Sequence, residues 1–241
     1  MLTTVSEAIE YRRSVRKYDS KKPINAELVK GCLKKARLAP NSSNLQLYEF
    51  YHITSEKVLR EISKACFDQP AAKTALQLVV FVTRKDLWKK RSRANLDFLN
   101  SQFNKPKEAY NQREKFATKY YTAVMPLTYF DFLGILGWLK YTVFWITGLF
   151  RPVYRQTRNS DMRSVVHKSA ALAAQTFMLS MAEVGYDTCP MEGHDSLRIK
   201  KILNLPLGAE INMVVSCGIR LEEGVYGKRF RIPFEEVYYK I

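Results

Sequence analysis

The chain predicts a mixed fold in which helices alternate with a few strands, in one domain that carries a long insertion. Three observations point there. A hydrophobic content of 46% over 241 residues is enough for a sizeable core. Segments with apolar residues at three- and four-residue spacing alternate with short β-rich runs. Residues 84–163 interrupt that alternation with a basic start and an aromatic and aliphatic continuation.

Taken in order, a short amphipathic helix over 5–9 leads into Tyr11-Arg12-Arg13-Ser14-Val15-Arg16-Lys17-Tyr18, with four cations and a serine hydroxyl in eight residues. Guanidinium forks take phosphate oxygens bidentately, so the run is a candidate anion site, against the ordinary reading of a solvated charged face. Asn25 caps a helix through Leu28, Val29, Cys32, Leu33 and Ala36, which Pro40 ends. The loop Pro40-Asn41-Ser42-Ser43-Asn44-Leu45-Gln46 holds more amide and hydroxyl groups than a turn requires, and these suit the polar edge of a heterocycle or a ribityl chain.

A strand over 48–53, a helix over 54–67 and a buried strand within 75–83 follow. Inside the insertion, 120–150 has only Asp131 and Lys140 as charges. Pro126, Asp131, Gly134, Gly137 and Lys140 cut this run below the roughly twenty apolar residues of a membrane-spanning helix. Three readings remain open: a helical hairpin over a pocket, a dimer contact, and a peripheral membrane anchor flanked by Lys119, Arg151, Arg155 and Arg158. After it come a helix over 164–183 ended by Gly185, an extended segment over 186–195, a helix over 197–203 and a strand over 211–220. The tail carries Lys228, Arg229 and Arg231 before Pro233.

A net charge of +16 attracts nucleic acid, anionic membrane or small anions. No zinc-finger spacing, RNP-type motif or heptad repeat accompanies it, so no nucleic-acid partner is expected. Four scattered cysteines without a Cys-x-x-Cys pair, and a start over 1–10 unlike a secretory signal, fit a cytoplasmic location. His52, His167 and His194 lack ligand spacing and read as structural or surface residues, with no metal site expected.

The order of these motifs resembles the FMN-dependent nitroreductase superfamily over roughly 5–83 and 164–233: Arg-Arg-Ser-Val-Arg, the Pro-Asn-Ser-Ser-Asn-Leu-Gln loop, a long Ala-rich helix, Gly-Tyr-Asp-Thr-Cys-Pro-Met-Glu-Gly and a basic C-terminal pair. The resemblance implies an α+β fold, a central, mainly antiparallel sheet surrounded by helices, in an intertwined homodimer with two FMN sites at its interface. Residues 1–241 would be one such domain, with 84–163 as a lid or dimer-contact subdomain.

Position by position, the resemblance implies that Arg12, Arg13 and Ser14 contact the phosphate and ribityl chain, with Arg229 and Arg231 as a second cationic pair. It places Arg16 at the pyrimidine edge, where a fixed cation stabilises reduced flavin. Pro40, Asn41, Ser42, Asn44 and Gln46 match a loop supplied by the partner subunit, and Gln69 an amide contact. Pro190, Met191, Glu192 and Gly193 match the segment over the flavin, with the Glu192 and Gly193 N–H groups toward N5. The implied activity passes hydride from NADH or NADPH through FMN to a nitroaromatic, quinone or related small acceptor, without a catalytic side chain. Two departures stand out: Gln46-Leu47-Tyr48 replaces the family's Gln-Pro-Trp, and Arg13 stands where some members carry His. The alternatives are a specialised member, reductive dehalogenase-like or flavin-modifying, and a non-catalytic flavin-binding protein at a membrane surface.

Overall fold

The computed structural model describes residues 4–131 and 134–241; Met1, Leu2 and Thr3 of the N-terminal ten, and Phe132 and Leu133 of the apolar run, lie outside the described residues. Strands β1 (Tyr48–Ile53), β2 (Gln77–Thr83), β3 (Asp187–Met191) and β4 (Glu210–Gly218) form a sheet in the order β1-β2-β4-β3, with every neighbouring pair antiparallel. The fold is α+β.

Every residue of β2 is buried, because helices cover both faces of the sheet. Its side chains alternate between two cores. Leu78, Val80 and Val82 share one with Ile62, Ile199, Ile211 and Val214, whereas Val79 and Phe81 join Val29, Leu33, Phe177, Met181 and Val215 in the other. β3 lies at the sheet edge, and an edge strand tolerates Pro190, which has no N–H for a ladder.

The helices follow the sequence closely. α1 (Val5–Tyr11) begins at a Thr4–Glu7 capping box, and α2 (Ala26–Ala36) at Asn25, whose side chain accepts from the Glu27 N–H at 2.8 Å. α3 (Glu56–Ala65) and the single turn α4 (Pro70–Lys73) lie between β1 and β2. The insertion comprises α5 (Trp88–Phe103), α6 (Gln112–Lys119), a π-helical turn (Tyr120–Val124), α7 (Met125–Tyr129) and α8 (Ile135–Thr147). It has its own small core, in which Met125 and Tyr129 meet Leu45 of the polar loop, Leu47 just after it, and Met162 and Val166 of α9 (Asn159–Glu183).

α9 starts at Asn159, earlier than the expected 164, since the Asp161 carboxylate accepts from the Arg158 N–H (3.0 Å) and organises the first turn. It ends as the sequence predicts: Gly185 takes φ +80°, and Gly185 and Tyr186 donate to Ala182 (3.0 Å) and Met181 (2.9 Å). α10 (Ser196–Ile202) follows β3.

Candidate functional site

Beyond α1 the chain runs extended along the edge of β3. Ser14 bridges Thr188, Val15 N–H donates to Thr188 O (3.1 Å), and Arg16 N–H donates to Gly224 O (2.6 Å). Val15 and Tyr18 point inward and are buried. The Tyr18 hydroxyl meets Ser216 Oγ at 2.8 Å, and burial raises its pKa well above the ordinary value. Arg220 braces the same corner: its Nε and N–H reach the buried Asp187 carboxylate at 2.8 Å each, and its guanidinium stacks on the Tyr11 ring at 4.4 Å. With these side chains anchored inside, the cations between them are left half-buried at the rim.

The C-terminal tail folds back onto that surface. Arg229 donates to the carbonyls of Glu10 (2.7 Å) and Arg12 (2.8 Å), and Arg13 donates to that of Gly227 (2.9 Å), where φ is +65°. Arg12, Arg13, Ser14, Arg16, Lys228, Arg229 and Arg231 thereby line one cavity of about 260 Å³. Among the described residues no carboxylate pairs with Arg12, Arg13, Arg16, Arg229 or Arg231. Burial, followed by the like charges of Arg229 and Arg231, lowers the Arg12 pKa. Two clusters some two hundred positions apart thus make one cationic pocket. Tyr226 and Phe230 wall it, and nothing in their sequence context singles them out.

β3 carries the chain away from this pocket. The turn at Glu192–Gly193 follows directly on the end of β3. There Gln69 Nε2 donates to Gly193 O (3.0 Å) and Cys66 O (3.1 Å), and Asp195 N–H donates to Ala65 O (2.7 Å), which fixes the turn against α3 and α4. Pro190 is half-buried, Met191 buried, and Glu192 and Gly193 exposed. A Cβ on Gly193 would meet no atom within 4 Å, so the space over the turn is open.

The polar loop lies elsewhere. Ser42 N–H donates to Ser169 Oγ (3.3 Å), Ser43 Oγ meets Tyr120 OH (2.7 Å), Asn41 Oδ1 accepts from Gln46 N–H (2.8 Å), and Asn44 pairs with Asn95 (2.8 Å). Pro40 is exposed at its start. Ser43, Asn44 and Gln46 all have positive φ, a conformation that L-residues hold only where surroundings impose it. α1 packs instead near Thr176 and Glu183 of α9. At about 1.5 Å per helical residue, the loop's contact at Ser169 and the contacts of α1 between Thr176 and Glu183 are spaced by roughly 10–20 Å along α9. Beside the loop, Ser42, Tyr120, Met125, Tyr129, Phe144 and Tyr154 help line an apolar cavity of about 370 Å³.

The profile described as "Nitroreductase family" matches residues 9–219. The chain belongs to the nitroreductase family. Within it, the chain is 27% identical over 229 residues to MhqN of Bacillus subtilis (strain 168), provisionally named an NAD(P)H nitroreductase, covering 95% of this chain and 94% of that one. A nitroreductase-type structure from Bacillus subtilis, YdfN, superposes with a TM-score of 0.74 at 21% identity over 98% of both chains. Another, from Exiguobacterium sibiricum and solved in complex with FMN, gives 0.71 at 21% identity over 100% of this chain and 99% of that one. The family match ends at 219, so Lys228, Arg229 and Arg231, three of the six cations lining the basic pocket, come from a tail beyond it.

Proposed function

We propose that this nitroreductase-family protein is an FMN-dependent oxidoreductase that uses NADH or NADPH to reduce a small aromatic or quinone-like acceptor, and that it works as a homodimer. The carrying observation is the anion pocket, where Arg12, Arg13, Arg16, Arg229 and Arg231 converge without a carboxylate and Arg12 is disfavoured by its neighbours. A phosphate dianion is the complement of such a site. The FMN complex of the Exiguobacterium sibiricum neighbour and the name of MhqN lend the reading its cofactor and donor.

In this reading Arg12, Arg13, Ser14, Arg229 and Arg231 hold the phosphate end, and Arg16 sets a positive charge toward the ring system. Gln69 keeps the Glu192–Gly193 turn in place, so that its main-chain N–H groups would face the ligand across the open space at Gly193. Held by these residues, FMN would supply hydride-transfer chemistry between a nicotinamide donor and the acceptor. The protein's part is to position and to tune by charge. Pro40, Asn41, Ser42, Asn44 and Gln46, remote from the pocket of their own chain, would serve the site of the partner subunit. The apolar cavity beside the loop suits an aromatic acceptor.

Titration of the flavin-free protein with FMN and with riboflavin tests this. FMN should bind at least about tenfold more tightly, the equivalent of one charge-assisted contact, and Arg12→Ala should abolish the difference. Equal affinities, or a flavin in the protein that neither NADH nor NADPH bleaches anaerobically, would overturn the proposal.

A further inference from the structure

α8 is built inside out. Ile135, Trp138, Leu139, Trp145 and Ile146, at helical spacing, with Leu149 in the turn that follows, form a continuous outward face, with exposures between 48% and 64%. Its one charged residue is turned the other way: Lys140 Nζ donates to the carbonyls of Leu127 (3.0 Å) and Phe130 (2.8 Å) at the end of α7. A water-facing helix normally reverses this pattern, with charges outside and apolar groups inside.

The charges around the face are sorted by sign. Between 112 and 163 the acids are Glu114, Asp131 and Asp161. Each is engaged: Glu114 with Lys105 (2.9 Å), Asp131 with the Gly137 N–H (2.9 Å) and Asp161 with Arg158 (3.1 Å). Lys119, Arg151 and Arg155 are exposed near the two ends of the hairpin, and the Arg158 guanidinium lies over the rings of Trp138 (5.5 Å) and Tyr141 (4.7 Å). An apolar band with indoles on it and cations at its margins complements an anionic bilayer surface. The 13 residues of α8 span about 20 Å, short of the ~30 Å hydrocarbon core. Among the described residues no helix is long and apolar enough to cross a membrane.

We propose that α8 lies flat in the interface of an anionic lipid bilayer, its outward face in the acyl region and Lys119, Arg151 and Arg155 among the headgroups. Docking stands independently of the flavin. Its consequence for chemistry rests on the function proposed above: Phe144 of α8 also lines the 370 Å³ cavity, which would then open toward the lipid and draw its acceptor from molecules dissolved there.

The tryptophans make the test direct, because two of the three in the chain, Trp138 and Trp145, sit on this face. Trp88→Phe leaves those two as reporters. With phosphatidylglycerol-containing vesicles their emission should shift to the blue and be quenched by brominated acyl chains. With phosphatidylcholine alone or at high salt the protein should stay in the supernatant. Leu139→Ser/Ile146→Ser should lower vesicle partitioning roughly tenfold or more with an unchanged far-UV spectrum and unchanged FMN affinity. Unshifted emission with anionic vesicles, or co-sedimentation without quenching by brominated chains, would overturn the proposal. So would emission already blue-shifted without lipid in a dimer that Leu139→Ser/Ile146→Ser dissociates, since the face would then belong to a second copy of this chain.

Discussion

Gly218 shows how tightly single positions are set around the anion pocket. A Cβ there would fall 2.6 Å from Tyr18 Cδ1, inside any real contact, and the Tyr18 ring cannot retreat while its hydroxyl is held by Ser216. Gly218→Ala should therefore destabilise by about 1–3 kcal/mol, read by urea unfolding, and weaken FMN binding because the segment carrying Arg12 and Arg16 is displaced. Gly31 has nothing within 4 Å of its Cβ position and sits inside α2, so Gly31→Ala should instead stabilise by about 1 kcal/mol. That Arg12, Arg13 and Arg16 form a cationic cluster was legible in the sequence because they are neighbours in the chain, whereas their meeting with Arg229 and Arg231 needed the fold. The roles of Tyr18, Asp187 and Arg220 were not legible, because their meaning lies in partners that only folding supplies.

Helix ends carry the same lesson in larger units. Residues 159–163 have no apolar repeat, and periodicity begins later, so the sequence alone starts α9 late. The missing turn is organised by Asp161, which takes both the N–H of Arg158 and its Nε (3.1 Å). Asp161→Ala should cost about 1 kcal/mol and loosen the cation–π contacts by which Arg158 holds α8, measured as faster amide exchange over 135–147. The hydrogen bond from Arg158 holds the Asp161 carboxyl below its ordinary pKa of 3.8, so its contribution is present above that value and fades as the pH falls through the lower folded value. The gap between wild type and variant should close in acid. The direction in which α8 faces was illegible for a different reason: with nearly every position apolar, no periodicity marks a side.

At the scale of the molecule, the tail ends in a run of exposed apolar side chains: Phe230, Ile232, Phe234, Val237, Tyr238 and Tyr239. Such a run on a folded domain asks for a partner surface. If the homodimer proposed above forms, removing 232–241 keeps Arg229 and Arg231 but should leave a monomer on sedimentation and lower FMN affinity, since the loop over 40–46 would lose its place in the partner's site. The order of the strands along the chain was readable in advance, whereas their order in the sheet, with β4 between β2 and β3, was not. That arrangement also governs how the protein comes into being. The central ladder joins Leu78 to Ser216 and Val80 to Val214, partners more than a hundred positions apart. During synthesis β2 emerges with no neighbour on that side until β4 follows it more than a hundred residues later, and α8 appears before β4 does. High contact order of this kind makes folding slow, so the most water-averse helix of the protein meets the cell before there is a domain to carry it.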